Sequence, residues 1–205
     1  MRTPPLSTPL ADCVVHQVRT DDDRTALWEW LQREGLIAYD TETTGVGYFD
    51  RCRLLQLGNA QEAFVLDPRQ HPDVVDELSY GGITLLAHNA AFDATVLGHL
   101  LADGDSDRLP GEVMNLMGAT IDTHVLSHLV DPRSQQDGGI GHGLKVLSDH
   151  YLGAGAVDGQ TALKARFREL GLTMATGWAE IPLWDPDYVI YAGVDAVLPC
   201  RLYRV

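Results

Sequence analysis

Between Leu36 and Asp67 three short apolar runs follow one another, Leu36-Ile37-Ala38-Tyr39-Asp40, Arg53-Leu54-Leu55-Gln56-Leu57 and Ala63-Phe64-Val65-Leu66-Asp67, with Gly and polar residues between them. Such runs are short for helices and the usual length for strands, so a meander is expected. A helix near Pro72 to Leu78, a strand at Ile83 to Ala87 and an amphipathic helix from about Ala91 to Leu101 come next. A meander followed by strand–helix alternation predicts an α/β fold, a mixed sheet flanked by helices. Upstream, Cys13 to Val18 reads as an edge strand, and Thr20-Asp21-Asp22-Asp23 as a capping box opening a helix to about Glu34, with Gly35 as its stop.

Downstream, Asp103 to Gly118 is polar and Gly-containing and is expected to be a surface loop. Ile121 to Val130 reads as a short strand or helix start, and Asp131 to Gly141 as a second loop. Gly143 to Leu152 and Gly159 to Leu170 have helical apolar spacing, and a last helix starts at Asp185-Pro186, with Asp as cap and Pro in the first turn. At 205 residues and 45% hydrophobic, without repeats or a linker, residues 1–205 are expected to form a single domain with 1–11 as a flexible leader.

Composition excludes several classes. No apolar run approaches the roughly 18 residues of a membrane span, and Met1 to Leu10 is not a signal peptide, so a cytoplasmic protein without membrane partners is expected. Cys13, Cys52 and Cys200 lack C-x-x-C spacing and read as reduced, partly buried thiols rather than a disulfide framework or zinc site. The net charge of -14 argues against coating nucleic acid by bulk electrostatics. Chemistry on phosphates would need a site where bound cations reverse the local sign.

Three segments carry candidate chemistry. Asp40 and Glu42 end the first apolar run two residues apart, so a strand sets both on one face. Taken alone, a solvated strand end and a divalent-metal site explain the pair equally well. Asn89 and Asp93 follow the strand Leu85 to Ala87 at the threshold and first turn of a helix, where ligands gather in open α/β sheets, although a capped helix with an acid in its first turn is the plainer explanation. Tyr191 and Asp195 share a helix face within a mostly apolar stretch, where an unpaired acid is costly to bury.

In this order the segments resemble the DEDD superfamily of 3'-5' exonucleases, in the tyrosine subgroup of the family A polymerase proofreading domain and ribonuclease D. The match spans roughly Leu36 to Leu202 through Asp40-x-Glu42, Asn89-x-x-Phe92-Asp93 and Tyr191-x-x-x-Asp195. The sister subgroup carries histidine five residues before the final Asp, where this chain has Ile190. Gly141 to Gly153 resembles the corresponding segment of polymerase-associated members.

The resemblance implies a ribonuclease-H-like fold and hydrolysis from the 3' end with two divalent cations, Mg2+ or Mn2+, about 3.5 to 4 Å apart. It implies that Asp40, Glu42, Asp93 and Asp195 are metal ligands and that Tyr191 orients the attacking water. An ordinary tyrosine pKa near 10 favours positioning over proton abstraction. It places Thr43, Val46, Asn89 and Phe92 near the substrate. Lys145, and Lys164, Arg166 and Arg168 on one helix, are candidates to assist the strand, a solvated face being the plainer account of the last three. His124 and His128, four apart, read as ordinary helix residues.

The expected substrate is a single-stranded or frayed DNA 3' end, and room is left for a separate DNA polymerase as partner, since the chain stops ten residues after Asp195. The alternatives are a ribonuclease D-like exoribonuclease using the same residues, and a silent nucleic-acid-binding module.

Overall fold

The computed structural model describes residues 1–47, 50–153 and 157–205, with the backbone alone for 157–159. Seven strands form one sheet. They are β1 (Leu6–Ser7), β2 (Val14–Gln17), β3 (Leu36–Thr43), β4 (Cys52–Gly58), β5 (Glu62–Leu66), β6 (Thr84–Ala87) and β7 (Thr120–Asp122), in the spatial order β1-β2-β5-β4-β3-β6-β7. β3, β4 and β5 pair antiparallel as the expected meander, and β2 joins β5 in parallel. On the other side β6 pairs parallel with β3 and β7 with β6. The expected α/β architecture, a mixed sheet flanked by helices, is present.

One face of the sheet carries α1 (Asp21–Leu31), α2 (Pro72–Tyr80), α3 (Ala90–Ala102) and α4 (Leu109–Ala119), packed on a core that includes Ile37, Tyr39, Leu55, Leu57 and Leu85. After α5 (Thr123–Val130) come α6 (Leu144–Leu152), α7 (Val157–Glu169), the single turn α8 (Gly177–Glu180) and α9 (Pro186–Leu202). A second core joins α7 and α9 to the opposite face through Val15, Leu54, Ala63, Val65, Tyr188 and Val197. Ile37 and Tyr39 of β3 face the first core, whereas Ala38 on its other face joins Leu86 and Cys200 in a third, smaller cluster.

Helix α9 lies unusually near the sheet. A Cβ on Gly58 of β4 would stand 2.9 Å from the Ala196 carbonyl oxygen, and one on Gly193 would meet the Val15 side chain at 2.6 Å. Glycine at both positions permits this approach, which carries Asp195 to the edge of β3. Asp185 caps α9 by accepting from the Asp187 N–H, with Pro186 in the first turn as the sequence predicts.

Three expectations are corrected. The leader is not free: Leu6–Ser7 pairs with β2, so β1 takes the edge assigned to Cys13 to Val18. Thr3 donates through N–H and hydroxyl to the Asp23 carboxylate at 2.7 and 2.6 Å, and Leu10 is buried in the second core. These attachments outweigh the local signal of prolines and small polar residues. Asp103 to Gly118 is not a loop over its second half, which forms α4. Leu109, Val113, Leu116 and Met117 recur at helical spacing, and Val113, Leu116 and Met117 pack on the α1–α3 core. That contact overrides the low helix propensity of Gly111 and Gly118. The single turn α8 is an addition within a segment with no earlier assignment.

Among the described residues no helix is long and apolar enough to cross a membrane. All three cysteines are free and buried.

Candidate active site

The strand period places Asp40 and Glu42 on the α9 face of β3 and turns Thr41 to the α3 face. From α9, Asp195 meets the pair: one carboxylate oxygen each from Asp40, Glu42 and Asp195 lie within 4.8 Å of one another, and this is the only such group among the described residues. All three oxygens are hard donors, the chemistry that suits Mg2+ or Mn2+.

Asp93 belongs to the other face. Its Oδ1 accepts from the Thr41 N–H at 3.0 Å and the Thr41 hydroxyl at 2.6 Å. It stands outside the group of three, near enough that the charge of Asp40 adds to burial in pushing its pKa up. Both bonds fall on Oδ1. Thr41 is thus the link between the third acid-bearing element and β3, a role that period-two reading missed because Thr41 faces away from its acidic neighbours.

Burial raises the pKa of Asp40 to about 6, and burial followed by the charge of Asp40 raises that of Glu42. Like charges without solvent disfavour ionisation. Two cations oppose this, Arg53, whose charge reaches Glu42, and Lys145. The Lys145 ammonium forms an ion pair with Asp195 Oδ1 and lies 4.9 Å from the centre of the Tyr191 ring. Its charge reaches Asp40 and Glu42 as well, opposing their upward shift. Burial lowers the Lys145 pKa to about 8. Lys145, a candidate to assist the strand, thus lies among the carboxylates.

Tyr191 is half-buried, and burial together with Glu42 and Asp40 raises its pKa. Its ring tilts against Trp178 of α8 at 5.7 Å, and Trp178 in turn meets Phe167 edge-on at 5.4 Å. Arg53 of β4 holds this segment by donating to the carbonyls of Trp178 and Ile181, its guanidinium over the Tyr188 ring at 5.4 Å. Arg53 and Trp178 therefore brace Tyr191. The sequence marked neither, because their relation to Tyr191 depends on α8.

Of the substrate-side residues, Thr43 is buried with its hydroxyl donated to the Gly45 carbonyl, Val46 is 90% exposed, and Phe92 is half-buried. Asn89 precedes α3 in the left-handed region at φ 70, a conformation asparagine tolerates, and makes no side-chain cap. Of the basic helix residues, Arg166 is paired with Asp185 and Glu169, which ties it to the α9 cap. His124 and His128 lie on α5, and their rings meet those of His88 and His142 in stacked and edge-on contacts.

Asp122 also escaped the sequence reading. Its Oδ1 accepts from the N–H groups of Asn89 at 3.0 Å and His124 at 2.8 Å, and its Oδ2 from Ala90 at 2.9 Å. One carboxylate at the end of β7 thus satisfies the first turns of α3 and α5, and through α3 it fixes Asp93. Asp122→Ala is expected to lower stability by about 2 kcal/mol and the melting temperature by roughly 5 °C, read by denaturant and thermal unfolding. An unchanged midpoint would show that α3 is anchored elsewhere.

Comparison with known proteins agrees with this arrangement. The 3'-5' exonuclease family of the DNA polymerase A exonuclease type matches residues 15–204. The DNA polymerase of Mycobacterium phage L5 is 31% identical over 199 residues, 93% of this chain and 32% of the phage protein. That of Mycobacterium phage D29 is 33% identical over 178 residues, 82% of this chain and 28% of its own. This chain thus spans about a third of the length of these relatives. Among solved structures, Trypanosoma brucei RNase D in complex with GMP aligns with TM-score 0.66 at 19% identity, covering 96% of this chain and 57% of that one. The match across nearly all of its length shows that the chain belongs to the DNA polymerase A-type 3'-5' exonuclease family.

Proposed function

We propose that the enzyme hydrolyses DNA from the 3' end and releases nucleoside monophosphates, using two divalent cations, Mg2+ or Mn2+. The observation that carries this reading is the convergence of Asp40, Glu42 and Asp195 from two distant elements, beside Tyr191. Asp40, Glu42 and Asp195 would hold one cation, and Asp40 with Asp93 the second. Bound there, the cations would make a water nucleophilic at neutral pH and offset the charge of the scissile phosphate.

The chain's own groups supply the rest. Tyr191 stays protonated at neutral pH, because burial beside two acids disfavours its phenolate. It therefore orients the water by hydrogen bonding and does not take its proton. Trp178 limits the swing of its ring. Val46, exposed beyond β3, and Phe92, one residue before Asp93, are positioned to pack against the terminal nucleotide, with Thr43 and Asn89 nearby.

DNA is favoured as substrate by the phage DNA polymerases to which the chain is similar. A DNA polymerase is the partner that this similarity favours, because the phage relatives are themselves DNA polymerases. The test is digestion of 5'-labelled single-stranded DNA, duplex DNA with a frayed 3' end, and RNA, with Mg2+, Mn2+ or chelator. A ladder shortening from the 3' end, faster on DNA, requiring metal and lost in Asp40→Ala, is the expected result. Faster digestion of RNA would overturn the DNA assignment, and binding without cleavage would overturn hydrolysis itself.

A further inference from the structure

We propose that Lys145 is a built-in counter-cation, which holds Asp195 in the metal-free enzyme and has to leave it before a divalent ion can bind. The inference rests on the metal reading above. Lys145 is the second residue of α6, following Gly143 as cap. A helix start carries partial positive charge, so an ammonium there is disfavoured by its own helix. Its position is explained by what it faces. The Lys145 side chain is 19% exposed and that of Asp195 10%, and the two form an ion pair across α6 and α9. Beneath the ammonium lies the face of Tyr191, a second attraction for a cation.

The Asp195 carboxylate that contacts Lys145 is also one of the three whose oxygens converge. An ammonium seated on the Asp195 carboxylate repels a dication drawn to the same three acids, and the ion needs their oxygens at roughly 2.0–2.1 Å. Three carboxylates against one ammonium remain net negative, so a dication is the better neutraliser once the pair opens. The lysine thus keeps the acids from repelling the fold apart while empty of metal, at the cost of cation affinity. A binding state available only to a fraction of molecules weakens the apparent affinity by that fraction.

The test uses the intact chain with Mg2+ and Mn2+, by isothermal titration calorimetry and by thermal unfolding in chelator. Lys145→Met keeps an unbranched apolar stem without the charge, and Lys145→Arg keeps the charge. Lys145→Met is expected to bind the cation about tenfold more tightly than wild type and to melt about 5 °C lower in chelator. Lys145→Arg should stay near wild type in both. In the wild type, acetylation of Lys145, mapped by peptide mass spectrometry, should rise severalfold on adding Mg2+.

Equal or weaker cation binding by Lys145→Met, or acetylation that Mg2+ leaves unchanged, would overturn the competition while leaving the metal site standing. Absence of binding to wild type and Lys145→Met alike would overturn the metal reading as well. Binding to Lys145→Met alone would support the competition in its strongest form.

Discussion

Replacing Asp40 with asparagine is expected to lower nucleotide release on the order of a thousandfold and at the same time to stabilise the metal-free protein. The two effects have one cause. Asp40 is the acid common to both proposed cation positions, so an amide there removes a negative ligand from each. Changes one shell further out already cost about 10- to 100-fold at metal sites, and loss of direct charge stabilisation at a reacting centre costs about 100- to 1000-fold. In chelator the sign reverses. Burial holds the Asp40 pKa up at about 6, which means that folding disfavours its charge. Relief of that penalty, discounted for partial exposure, is worth on the order of 1–2 kcal/mol at pH 8, or roughly 3–6 °C in melting temperature. Turnover in a saturating Mg2+ assay and unfolding in chelator provide the two readings. A variant that loses activity and also loses stability would mean that Asp40 is held by favourable contacts, and the strained-cluster account would be wrong.

The second large effect concerns pH. Asp40, Glu42 and Asp93 all have carboxyl pKa values raised above their ordinary range, by burial first and then, for Glu42 and Asp93, by the charge of Asp40. A group whose folded pKa is raised carries more protons in the folded state. Its contribution to stability is complete below the unfolded pKa and disappears as pH climbs through the folded one. Metal-free protein should therefore become less stable between pH 6.5 and 8. This window lies above the opposing contribution of His88, and that of Lys145, whose pKa burial lowers to about 8, enters only at its upper end. Burial lowers the His88 pKa to about 4, so His88 adds stability as pH rises from about 4 to 6.5 and nothing further above. Saturating Mg2+ should abolish or invert the slope, because cations bind the ionised carboxylates and only the folded state gathers them. Denaturant unfolding at pH 6.5, 7.2 and 8, with chelator and with Mg2+, measures both slopes. A chelator series that is flat or rises with pH would contradict the raised carboxyl groups.

These effects converge on a site whose parts differ in how openly the sequence displays them. The strand period alone puts Asp40 and Glu42 side by side, and helical spacing alone puts Tyr191 and Asp195 on one face behind the Asp185-Pro186 start. The resemblance adds Asn89 and Asp93. Such relations run over two to four residues and follow from backbone geometry, which neighbouring residues specify directly.

Other parts have no local trace. Thr41 reads as the residue between two acids, yet it is the one that fastens Asp93, because it points to the opposite layer. Lys145 reads as a candidate to assist the strand, yet its ammonium reaches an acid fifty residues later in the chain. Asp122 is one acid among 29 Asp and Glu, and its importance comes from two helices that begin beside it. Helix α4 and the strand Leu6–Ser7 form in stretches whose composition predicts irregular chain, since each gains a partner surface that its own residues do not contain.

The chain's short-range patterns marked most elements of an α/β sheet, and its resemblance to the exonuclease family singled out the residues that could carry hydrolysis. Packing of α3, α6 and α9 on β3 settled which of those residues face one another, which acid stands apart, and which cation sits among them. Propensity and periodicity act over a single turn or strand, whereas burial, charge pairing and carboxyl pKa values depend on groups that meet only after distant segments have packed.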